Sequence, residues 1–119
     1  MSHGALLRQQ SGDPEPASHV MHDYRNADLD AETRGILDFA SQLTRDPTSM
    51  EESNVQGLRG LGLSDEQILS VVLITCVFNF MTRLADGLGV EFPQRMQKAI
   101  ECWLTGPATQ QEWMLKQKA

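Results

Sequence analysis

Apolar residues along this chain recur at intervals of three and four, and no alternating apolar and polar run is long enough for a strand. The pattern predicts helices throughout, about six of them. "SHGALLRQQ" reads as the closing turns of a first helix. "SGDPEPASHVMHDYR" begins a second, with Asp13 as cap, Pro14 at the first helical position and an end near Arg25. A third opens at Asp30, repeats Ile36, Phe39, Ala40 and Leu43 at helical spacing, and stops near Arg45 ahead of Pro47. A short fourth is expected behind a capping box of Ser49 and Glu52, with Val55 and Leu58 inward and the glycines of "GLRGLGL" as its end. Ser64 and Gln67 form a second box before the longest helix, Asp65 to about Leu88, which Gly89 closes. Pro93 starts a sixth, with Met96, Ile100, Trp103 and Leu104 inward. Residues 1–105 therefore read as one helical domain and residues 106–119 as a tail whose Trp113 and Met114 can dock.

The long helix is apolar on most of its circumference, which places it at the centre of the fold. Its continuous apolar run, Ile68 to Met81, is too short to span a bilayer, so no membrane is expected as a partner. Along it, Cys76, Asn79, Arg83 and Asp86 fall on one face. An unpaired buried guanidinium would cost several kcal/mol, roughly, so Arg83 is expected to pair with Asp86 at i+3. Asn79 is then free to bond a neighbouring helix or a second subunit. A pocket lining is the other reading of the stripe.

Charge narrows the class. Ten Lys and Arg against sixteen Asp and Glu give a formal charge of -6, with no basic face for a nucleic-acid backbone. The two cysteines, Cys76 and Cys102, form no Cys-x-x-Cys and no zinc-ligand cluster, and they fit a reducing cytoplasm. Cys76, in mid-helix, reads as a small packing residue. His19 and His22 stand at i and i+3, a spacing that suits a metal, but no third ligand accompanies them, so solvated histidines are the simpler reading and no metal or other cofactor is expected. "GLRGLG" follows a helix and not a strand, which removes it as a phosphate loop.

Taken in order, "HGALLRQQSGDP", "DYRNADLDAETRGILDFASQLTRDP", "LGLSDEQILSVVLI" and "FNFMTRLADGLGVE" resemble consecutive segments of the peroxidase-related, alkyl hydroperoxidase D-like branch of the carboxymuconolactone decarboxylase-like superfamily. The resemblance runs from Ser2 to about Phe92, and "DYRNADL" and "FNFMTRLADGLG" are its most specific pieces. It implies an all-α helical bundle, here shortened at the front, that assembles as a homo-oligomer. Active members reduce peroxides with a Cys-x-x-Cys pair, a histidine four residues after the second cysteine and an upstream glutamate. By resemblance His3 matches the relay histidine, while the thiol pair and the glutamate have no counterpart in these residues. The stripe of Asn79, Arg83 and Asp86 then holds helices or protomers in register, with Thr82 where asparagine is more usual.

Three functions follow as expectations. The first is the C-terminal part of a thiol-dependent peroxidase of antioxidant defence, inactive as this chain alone because thiol-peroxide chemistry needs an attacking thiolate and a resolving thiol. A hydroperoxide substrate and a dithiol reductant are its partners only if the front segment is present. The second is a non-catalytic helical module that self-associates through apolar surface on the long helix. The third, a metal enzyme using His19 and His22, has the least support.

Overall fold

The computed structural model describes Val20 and residues 23–91. The expected helices at Ser2–Gln10 and from Pro93 onward, the tail, and His3, His19, His22 and Cys102 lie outside the described residues. The chain divides into two units, Leu29–Val90 and a second made of Met1–Asp28 with Glu91–Ala119. In the second unit, the expected helix end near Arg25 coincides with a 3-10 turn, Tyr24–Asn26. Asp23 organises it: Oδ1 accepts from the Arg25 N–H at 3.0 Å and Oδ2 from the Asn26 amide at 3.2 Å. This gives the "DYRN" of the resemblance a local physical role, an aspartate that closes a turn.

The unit Leu29–Val90 holds three α-helices, and no strand occurs among the described residues. Helix α1, Ala31–Arg45, starts where Asp30 Oδ1 accepts from the Thr33 N–H at 2.7 Å. Glu32 lies in its first turn and Arg45 in its last, each complementing the helix dipole. Helix α2, Glu52–Gly60, follows, and helix α3, Asp65–Gly87, is 23 residues long. At its head the expected capping box is in place: the Gln67 N–H donates to Ser64 Oγ at 3.2 Å, and the Ser64 N–H donates to Gln67 Oε1 at 2.8 Å.

The capping box expected at Ser49 and Glu52 does not form. Pro47–Ser49 makes a 3-10 turn instead, and Ser49 Oγ donates to the Asp46 carbonyl at 2.8 Å, which commits that hydroxyl to the turn. The helix begins two residues later behind Glu51, whose N–H donates to Asn54 Oδ1 at 2.7 Å. Asn54 Nδ2 also donates to Gln42 Oε1 at 3.0 Å, and Gln42 Nε2 donates to Ser49 Oγ at 3.0 Å. A chain of carboxamides thus ties the end of α1 to the start of α2.

Both later helices close in the same way. Gly62, at φ +101°, donates to the Arg59 carbonyl at 2.9 Å, and Leu63 donates to the Leu58 carbonyl at 3.3 Å. Gly89, at φ +64°, donates to the Asp86 carbonyl at 3.1 Å, and Val90 to the Ala85 carbonyl at 2.9 Å. This is the Schellman arrangement, in which a left-handed residue satisfies the last carbonyls, and glycine takes that conformation without a Cβ penalty. At the α2 end the accompanying apolar contact is part of the core, because Leu58 and Leu63 are both buried.

The core itself is Phe39 from α1, Leu58 from α2, Leu63 from the corner and Ile68 from α3, ringed by Ile36, Leu43, Met50, Val55, Val71 and Val72. The inward positions expected on the third and fourth helices are therefore where the packing occurs. Within the unit Leu29–Val90, however, the long helix is not central. Only its first turns enter this core, and from Leu69 onward its large apolar side chains are mostly exposed. The expectation that its apolar stretch is too short for a bilayer is also corrected, since the whole helix is long and apolar enough, by length and composition, to cross a membrane.

Two outcomes follow. Leu58→Ala leaves a cavity at the junction of three elements and should lower the unfolding free energy by about 2–5 kcal/mol in urea denaturation. The Thr33 N–H holds the Asp30 carboxyl below its usual range. Its contribution is whole above the ordinary aspartate value of about 4 and is lost as pH falls through the lower folded value. Asp30→Asn should flatten the pH dependence of stability in that acid window and leave the slope above about pH 6 unchanged.

Candidate functional site

Helix α3 carries the residues that the sequence singles out. Ile68, Val71, Val72, Thr75 and Asn79 make one arc, the side turned toward α1 and α2. At the head of the helix that arc is apolar and seals the core. Farther along it becomes polar: Asn79 Nδ2 donates to Thr44 Oγ1 in the last turn of α1 at 3.0 Å. The neighbouring-helix bond expected of Asn79 is thus present, and its acceptor is Thr44, a residue that no motif marked.

Arg83 behaves differently from expectation. Its Nη1 donates to the backbone carbonyl of Asn79, one turn back, at 3.3 Å. The structure shows no Arg83–Asp86 ion pair; Arg59 and Asp65 do pair, at 2.8 Å, which joins α2 to the head of α3 and raises the Arg59 pKa. Arg83 is exposed, so the cost of a buried unpaired guanidinium, which made the pair necessary, does not arise. Asp86 is exposed as well, and its carbonyl takes part in the helix stop. Thr82 Oγ1 and Thr75 Oγ1 both turn back onto their own helix, to the carbonyls of Phe78 and Val71.

The opposite side of α3 is the less expected half. Leu69, Leu73, Val77, Phe80, Leu84 and Leu88 lie within an arc of about 100°. Their exposures run from 45% at Leu84 to 72% at Leu88. Ile74, Phe78 and Met81 widen this surface on one flank. No charged residue occurs from Gln67 through Thr82. Along its C-terminal half the helix therefore has the reverse of ordinary surface amphipathicity, with amide inward and leucine outward. The signal for this lay in the four- and three-residue spacing of the leucines.

The chemistry these residues offer is limited. Cys76 is a free, exposed thiol in mid-helix, remote from the helix N-terminus whose dipole would stabilise a thiolate. Among the described residues no three His, Cys, Asp or Glu side chains converge on a point that could hold a metal. The structure brings Asn79 and Arg83 together through the Asn79 carbonyl and leaves Cys76 outside that contact. His3 lies outside the described residues.

No family model matches the chain, and no curated protein matches it. Solved structures do. An uncharacterized peroxidase-related protein from Silicibacter sp. TM1040 is similar with 36% identity and a TM-score of 0.71. The match covers 78% of this chain and 49% of that one. An alkylhydroperoxidase AhpD core protein, also an uncharacterized peroxidase-related protein, from Ralstonia eutropha JMP134, is similar with 30% identity and a TM-score of 0.68, over the same shares of the two chains. The chain thus spans about half the length of these structures.

If the Asn79–Thr44 bond sets the rotation of α3, a double-mutant cycle on Asn79→Ala and Thr44→Val should give a coupling of about 0.5–1.5 kcal/mol by chemical denaturation. Coupling near zero would show that apolar packing alone fixes the helix.

Proposed function

Since the chain belongs to the peroxidase-related, alkyl hydroperoxidase D-like family, whose solved members it matches over about half their length, we propose that it is the helical scaffold portion of a thiol-dependent peroxidase. The observation that carries this is the 36% identity sustained over 78% of the chain together with a TM-score of 0.71. In such chemistry a thiolate attacks a hydroperoxide, the O–O bond breaks, an alcohol leaves, and the sulfur becomes a sulfenic acid. A second thiol then displaces water to form a disulfide, which an external dithiol reduces.

These residues supply the frame for that reaction and not its sulfurs. Cys76 and Cys102 are far apart in sequence, and Cys76 sits on an apolar helix face with no resolving thiol beside it in the motif. In a protein carrying the pair, the second cysteine stands four residues before His3, which then relays the proton. Two thiols outside any disulfide motif suit a reducing, cytoplasmic setting. A bilayer is a poor environment for α3, because its first turns pack against α1 and α2 and Asn79 is bonded to Thr44.

A second reading, a self-associating module without catalysis, is favoured by the outward apolar arc of α3, since contiguous exposed apolar patches beyond a few hundred Å² mark interaction surfaces. The two readings are compatible, because an oligomeric scaffold serves either.

Purified as these 119 residues, the protein should consume alkyl hydroperoxide with a dithiol reductant only at the rate of a Cys76→Ser, Cys102→Ser control. Turnover well above that control, abolished by the substitutions, would overturn the scaffold reading. For the second reading, light scattering over a concentration series should show a species larger than the monomer, and a strict monomer would end it.

A further inference from the structure

We draw no further inference here: the strongest candidate, the exposed apolar arc of α3 formed by Leu69, Leu73, Val77, Phe80, Leu84 and Leu88, carries none, because nothing in the structure shows what covers it.

Discussion

The rotation of α3 about its own axis decides which of its sides faces outward, and along the distal half a 3.0 Å hydrogen bond joins Asn79 to Thr44 of α1. Near its head the helix is held by burial, with Ile68 in the core and Val71 and Val72 against it. Beyond Val72 no residue of α3 packs against this core among the described residues. A helix apolar all round has no preferred orientation against one neighbour, since several arcs bury equally well. An amide that finds a hydroxyl across the gap favours one rotation, by roughly 0.5–1.5 kcal/mol for such a bond. With Ile68, Val71 and Val72 packed inward, that rotation turns the leucines outward.

The rest of the unit is arranged so that this contact can be made. Asp30 fixes the start of α1 and so its register; Gln42, Ser49 and Asn54 join its end to α2; the Schellman stop at Gly62 folds Leu63 back onto Leu58 and turns the chain into α3. Arg59 and Asp65 clamp the same corner from outside. Thr44 therefore arrives opposite Asn79 as the sum of several local geometries, none of which concerns catalysis. A solved peroxidase-related protein matches this helical arrangement with a TM-score of 0.71 and 36% identity over 78% of the chain.

Much of this is legible in the sequence. Asp30, Ser64 with Gln67, Gly62 and Gly89 announced element ends because the chemistry of capping is local, and the structure uses all of them. The start of α2 was misplaced because Ser49 matches a capping pattern equally well inside a 3-10 turn that Pro47 initiates, and a pattern three residues long cannot see the turn before it. The position of α3 departs from the sequence expectation for a related reason. Hydrophobicity around a whole helix states that it will be covered and not by which neighbour, and here only its first turns are covered within the unit. Of the candidate site, Asn79 was recognised as an inter-helix donor, but its acceptor lies thirty-five residues away in sequence, and no local pattern marks Thr44. The Arg83–Asp86 pair was inferred from a burial that does not occur, so its premise failed before its geometry did.

The central claim is that the head of α3 is covered by its own unit, while its distal arc is the surface through which the proposed self-association acts. Hydrogen–deuterium exchange along α3, measured at low and high protein concentration, tests this most directly. The account predicts amides of Ile68 to Val72 protected at every concentration and amides from Val77 to Leu84 gaining protection as concentration rises. Equal protection along the whole helix, unchanged by dilution to the monomer, would contradict it.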